Sequence, residues 1–83
     1  MAKTKIEIFT RPGCGYCVAA KRLLVQHDLS FTEFDLSVPE HLETLRQRAP
    51  QARTVPQIFV GTLHIGGFDN LNQKLSGRPA KAQ

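Results

Sequence analysis

The stretch TRPGCGYCVAA, residues 10–20, holds both cysteines of the chain, Cys14 and Cys17, three positions apart. Before it, KIEIF at residues 5–9 alternates apolar and polar side chains as a strand does, and Pro12-Gly13 breaks the run. After it, Val18, Ala20, Leu23, Leu24 and His27 fall near one helical face of residues 15–27, while Lys21, Arg22 and Gln26 turn to water. The thiols therefore sit where a strand ends and a helix begins. Free N–H groups of the first helical turn point at the Cys14 sulfur and favour a thiolate there, and Arg11 adds positive charge. Cys17 lies one turn further in, close enough to attack a mixed disulfide on Cys14 but with a deeper sulfur. The expected roles are Cys14 as the attacking thiol and Cys17 as the resolving one. Between them Gly15 leaves the loop flexible, and Tyr16 offers an aromatic wall and a hydroxyl beside the sulfur.

Other uses of two cysteines fit less well. A bridge between Cys14 and Cys17 closes a loop too short to constrain the unfolded chain, and two cysteines are too few for a disulfide framework. Zinc needs a fuller ligand set than two cysteines with His27, His41 and His64, none of them at zinc-finger spacing. The net charge is +4, but the basic residues are scattered from Lys3 to Lys81 with little aromatic interleaving, so nucleic acid is not an expected partner. The first residues lack the apolar core of a signal peptide, and no run approaches a membrane span. The expected setting is a reducing cytoplasm with no membrane partner, where paired cysteines are more often catalytic or metal-binding than structural.

The 83 residues are expected to form a single domain, 1–83, with a core over about 4–76 and a frayed tail at 77–83. LSFTEFDL, residues 29–36, reads as a strand with both faces covered. SVPE opens a second helix, with Ser37 as the cap and Glu40 three residues on, and Pro50 stops it after Arg48. TVPQIFVGTLHIGG, residues 54–67, reads as strands at 57–60 and 63–65 joined by a turn at Gly61-Thr62. A short helix over 69–75 follows, with Leu71 and Leu75 inward. The order is β-α-β-α-β-β-α. The first two strands should be parallel and the last two an antiparallel hairpin, giving an α/β fold with a mixed sheet and helices on both faces.

Two later segments are candidates for the rest of the site. Pro56 restricts Val55 to extended geometry. A cis Val55-Pro56 bond would let the Val55 backbone meet an extended peptide, whereas a trans bond would mark an ordinary strand start. GGFDN places Gly67 to Asn70 at a helix N-terminus, which suits a carboxylate, or else forms a plain turn capped by Asp69 or Asn70.

TRPGCGYC, TVPQIFV and HIGGFDNL occur in this order and spacing in glutaredoxins, and the chain resembles a short dithiol member of that family over residues 4 to 76. The resemblance implies a thioredoxin-like fold with a four-stranded mixed sheet flanked by three helices, a cis Pro56, and glutathione as cosubstrate and electron donor. It implies that Cys14 forms the mixed disulfide with glutathione and Cys17 resolves it. Thr54 and Val55, ahead of Pro56, would pair with the cysteinyl backbone of glutathione, and Gly67, Phe68 and Asp69 would hold its γ-glutamyl end. Arg11, together with Gln51 or Arg53, would face the glycyl carboxylate.

The implied activity is glutathione-dependent reduction of protein disulfides and of glutathionylated proteins by a monomer. Gly15 departs from the proline common in dithiol members. Some relatives with glycine there bind a [2Fe-2S] cluster between two copies, so a cluster-bridged homodimer with Cys14 as ligand is the alternative. A thioredoxin-type reductase served by a flavoprotein ranks third, because GGFDN is of the glutathione-binding type and tryptophan is absent before Cys14.

Overall fold

The structure is a computed structural model and describes residues 5–76. The expected tail at 77–83 lies outside the described residues. Seven elements follow one another: β1 (Ile6–Thr10), α1 (Gly15–Gln26), β2 (Thr32–Asp35), α2 (Pro39–Arg48), β3 (Gln57–Val60), β4 (Leu63–Gly66) and α3 (Phe68–Ser76). The strands form one sheet in the order β2-β1-β3-β4, with β1 parallel to β2 and antiparallel to β3, and β3 antiparallel to β4. The mixed α/β sheet is therefore as expected.

Two apolar layers hold the sheet. Ile6, Ile8 and Ile58 point to one face and pack with Ala20 and Leu24 of α1 and Leu71 of α3. On the other face Phe9 and Phe59 pack with Leu36 and with Leu45 and Ala49, at and just past the end of α2. The period-two alternation of strand side chains makes these faces separate, so β1 needs apolar residues on both sides.

The alternation of KIEIF marks a strand, as expected, but does not leave its polar positions in water. Every residue of β1 is buried, including Glu7, which is only 9% exposed. Its carboxylate accepts from Arg48 Nη1 at 2.7 Å, while Arg48 Nη2 donates to the Gly61 carbonyl at 3.2 Å. An inward acidic group on a central strand is tolerable because the guanidinium satisfies it.

Other expectations shift for similar reasons. β2 is not a strand covered on both faces: Thr32 and Glu33 are exposed, and it stands at the edge of the sheet, with β1 its one neighbouring strand among the described residues. Besides its parallel ladder with β1, it is tied to the rest by Glu33, which accepts from Thr10 Oγ1 at 2.6 Å and Lys21 Nζ at 2.9 Å. The inward stripe of α1 is Cys17, Ala20 and Leu24, leaving Val18 and His27 exposed. The stripe is rotated because Cys17 itself belongs to the core.

Ser37 does not cap α2. Asp35 Oδ1 accepts from the Ser37 N–H at 2.8 Å, so this residue is drawn into a turn on Asp35 and the N-cap becomes Val38, without a side-chain bond. Pro39 fits the first helical position, where no N–H is needed.

Candidate active site

Three segments distant in sequence meet at one end of the sheet. The first is the turn from β1 into α1. Gly13 has φ +75°, a left-handed conformation that a residue with a Cβ rarely adopts, and it reverses the chain after Pro12. This leaves Cys14 as the N-cap of α1 in an extended conformation, with its Sγ accepting from the Cys17 N–H at 3.1 Å. Sulfur thus occupies the place that a serine or aspartate oxygen takes at other helix starts, and negative charge on it faces a donor. Cys14 is half-buried, whereas Cys17 is 1% exposed.

Burial pushes the Cys17 thiol up to about 11, and its hydrogen bond and charge repulsion with Cys14 act in the same direction, against the Arg11 backbone and Lys21. At neutral pH Cys17 therefore holds its proton and cannot compete as a nucleophile. Because its folded-state value lies above the ordinary 9.0, the folded chain retains a proton that the unfolded chain releases. Its contribution to stability is complete below about 9 and is lost as the pH rises toward 11. Thiolate ultraviolet absorbance of the reduced protein should show one thiol titrating only near 11, with unfolding free energy falling over the same window. Complete titration of both thiols by pH 9 would contradict this assignment.

The second segment is 51–56. The Val55-Pro56 bond is cis. The Val55 carbonyl accepts from the Cys14 S–H at a long 3.9 Å, joining positions 41 residues apart. The third segment is the β4–α3 junction. Gly66 has φ +117°, and a Cβ there would lie 2.6 Å from Asn70 Oδ1, so the approach requires glycine. Asn70 Oδ1 in turn accepts from the Gly67 N–H at 3.2 Å, and the helix begins one residue earlier than expected, at Phe68. The N–H groups of Phe68 and Asp69 remain without partners among the described residues, which suits an anion at the helix start.

Between the second and third segments lies a groove of about 640 Å³ lined by Tyr16, Gln51, Arg53, Thr54, Val55, Pro56, Gly67, Phe68 and Asp69, with Gln57, His64 and Asn70 among others. The Tyr16 and Phe68 rings stand 5.8 Å apart at its wall. Nine of the residues singled out from the sequence thus line one surface. Arg11 does not: it borders a neighbouring cavity of about 240 Å³ with Arg46, and shares Arg53, Thr54 and Val55 with the groove.

Gln57 and His64 were not singled out as site residues. Their signal was the strand alternation itself, which puts Gln57 on the same face as Phe59, with His64 paired across from Phe59. Among the described residues no helix is long and apolar enough to cross a membrane, and no group of three or more His, Cys, Asp or Glu side chains is arranged to hold a metal ion.

The glutaredoxin family model matches residues 6–65. Glutaredoxin 1 of Rickettsia felis is 33% identical over 87 residues, covering 92% of this chain and 85% of that protein. The hybrid peroxiredoxin hyPrx5 of Haemophilus influenzae is 44% identical over 68 residues, covering 82% of this chain, which spans only 28% of that longer protein. Among solved structures, the buckwheat glutaredoxin–glutathione complex superposes with a TM-score of 0.73 at 30% identity, covering 90% of this chain and 72% of the buckwheat one.

Proposed function

Because this chain belongs to the glutaredoxin family of thiol-disulfide oxidoreductases, we propose that it uses glutathione to reduce protein disulfides and protein-glutathione mixed disulfides. The observation that carries the reading is the contact of the half-buried Cys14 sulfur with the Val55 carbonyl, at the rim of a groove lined by Thr54 and Val55 on one side and by the helix start at Phe68-Asp69 on the other. An extended tripeptide disulfide with a carboxylate at each end matches these features. In this reading Thr54 and Val55 pair with its cysteinyl backbone, and Gly67, Phe68 and Asp69 hold its γ-glutamyl end. Gln51 or Arg53 and, from the neighbouring cavity, Arg11 draw its glycyl carboxylate. The bound glutathione of the buckwheat glutaredoxin complex supports the choice of ligand.

The chemistry balances without any further group. The Cys14 thiolate attacks the glutathione sulfur of a mixed disulfide, forming a Cys14-glutathione disulfide and releasing the protein thiolate. A second glutathione thiolate attacks the glutathione sulfur on Cys14, giving oxidised glutathione and regenerating the Cys14 thiolate. For a protein disulfide, Cys14 attacks one sulfur and Cys17 then attacks the Cys14 sulfur, expelling the reduced protein and leaving a Cys14–Cys17 disulfide for glutathione to reduce. Once Cys14 is in a mixed disulfide, its charge and its hydrogen bond no longer oppose ionisation of Cys17, and burial is left as the main opposing cause.

A [2Fe-2S] cluster would need donors beyond one chain, since a single copy brings no set of three or more ligating side chains together among the described residues. The proposed actor is a single-domain monomer of the cytoplasm, with disulfide-containing or glutathionylated proteins as substrates. The likeness to the hybrid peroxiredoxin makes an oxidised peroxiredoxin one protein disulfide to offer.

The test is NADPH consumption during reduction of a glutathione mixed disulfide, coupled to glutathione reductase, with thioredoxin reductase in a parallel assay. Turnover only in the first supports the reading. Turnover only in the second would make the chain a thioredoxin-type reductase, and an inactive protein that turns brown on reconstitution with iron, sulfide and glutathione would make it a cluster carrier.

A further inference from the structure

The steps above leave Gln57 and His64 without a role. Gln57 is 5% exposed at the start of β3, on the floor of the groove. Its Nε2 donates to the Thr54 carbonyl at 2.8 Å and to Thr54 Oγ1 at 3.3 Å, and its Oε1 lies 2.7 Å from His64 Nε2. The two ends of this amide are not interchangeable. With the NH₂ group committed to Thr54 oxygens, Oε1 must accept, so His64 Nε2 carries the hydrogen. His64 is fixed in turn by stacking on Phe59, with ring centroids 4.6 Å apart and planes at 19°, and the Arg48 guanidinium lies 4.1 Å from the Phe59 centroid.

The consequence passes through one peptide plane. The Thr54-Val55 bond is trans, so its C=O and N–H point in opposite directions. Drawing the Thr54 carbonyl inward onto Gln57 turns the Val55 N–H toward the open side. That N–H has no partner among the described residues. We propose that His64 is a positioning residue that, by orienting the Gln57 amide, sets the Thr54-Val55 peptide plane and presents the Val55 N–H to the backbone carbonyl of the ligand's cysteinyl residue. This rests on the glutathione reading above and adds to it the residues that aim the donor. A ring at position 64 that stacks but cannot donate leaves Oε1 unheld, so the amide is fixed only at its NH₂ end and no longer holds the Thr54 carbonyl in one direction.

The test compares wild type with His64→Phe, which keeps the stacking ring, and Gln57→Met, which keeps the shape of the side chain without its donor. Each is assayed for turnover of a glutathione mixed disulfide and, separately, for alkylation of Cys14 by iodoacetamide, a small reagent that needs no backbone pairing. The expected result is a KM for the mixed disulfide raised about tenfold, the effect of one misaimed hydrogen bond, with kcat and the alkylation rate within about twofold of wild type. If wild type turns over and both variants keep its KM, the positioning role is wrong while the enzyme reading stands. If KM rises and alkylation changes in parallel, the two residues serve the fold and the proposal fails. If one variant does not fold, the other decides. A wild type without glutathione-dependent turnover removes both the enzyme reading and the proposal.

Discussion

Cys14→Ser is expected to lose about a thousandfold or more of the turnover of glutathione mixed disulfides, while Cys17→Ser keeps most of it. The asymmetry follows from position. Cys14 caps α1 at its N-terminus, half-buried, with its sulfur accepting from the Cys17 N–H at 3.1 Å. Serine at this position would accept the same hydrogen bond and leave the helix start intact, but its hydroxyl is not ionised at neutral pH and forms no disulfide. Melting temperature should therefore hardly change while activity disappears. Cys17→Ser removes only the resolving route, so reduction of a protein disulfide should fall steeply while deglutathionylation persists. The NADPH-coupled assay on both variants, with both substrates, checks the pattern. Substantial deglutathionylation by Cys14→Ser would refute the assignment of the nucleophile.

The second large effect concerns stability. Phe9 is 0% exposed on β1, an interior strand, where its ring stacks on Phe34 at 5.0 Å and meets Phe59 edge-on at 5.6 Å. Truncating it removes the centre of the layer formed with Leu36, Leu45 and Ala49, and the opposite layer cannot collapse into the space because the sheet lies between them. Phe9→Ala should cost about 3–5 kcal/mol. A small domain has roughly 5–8 kcal/mol to lose at the low end of ordinary stabilities, so the variant should be largely unfolded at mild denaturant concentration. With a urea slope of about 1 kcal/mol per molar for a chain of this size, the midpoint should drop by about 3–5 M. Val25→Ala, on the exposed face of α1, is the control and should move it by less than about 0.5 M. A Phe9→Ala midpoint within about 1 M of wild type would mean that the aromatic layer is not what holds the sheet.

The Phe9 case also shows how far a strand pattern can be read. KIEIF announces a strand through its alternation, but alternation cannot say whether the polar positions face water. Glu7 lies inward beneath Arg48, because α2 returns over that face of the sheet. Ser37 carried a capping signature that is local and plausible, yet Asp35, two residues earlier, takes its N–H first. LSFTEFDL was read as covered on both faces, and its apolar content does serve the core through Phe31 and Phe34, but β2 stands at the sheet edge with Thr32 and Glu33 exposed.

What the sequence determined by itself was everything encoded within a few residues. The strand-turn-helix around Cys14 and Cys17, the hairpin at Gly61-Thr62, the restriction ahead of Pro56 and the helix start after Gly66-Gly67 are short-range consequences of backbone sterics and side-chain periodicity, and the order of elements follows from them. Tertiary structure alone decided which of these pieces meet. The contact of Cys14 with Val55 spans 41 positions, Gln57 reaches both Thr54 and His64, and Arg11 ends in a neighbouring cavity and not in the groove. Such relations depend on which helix covers which face and how adjacent strands register, and these are set by burying both sides of β1 and β3 at once, a condition that no local stretch of sequence contains.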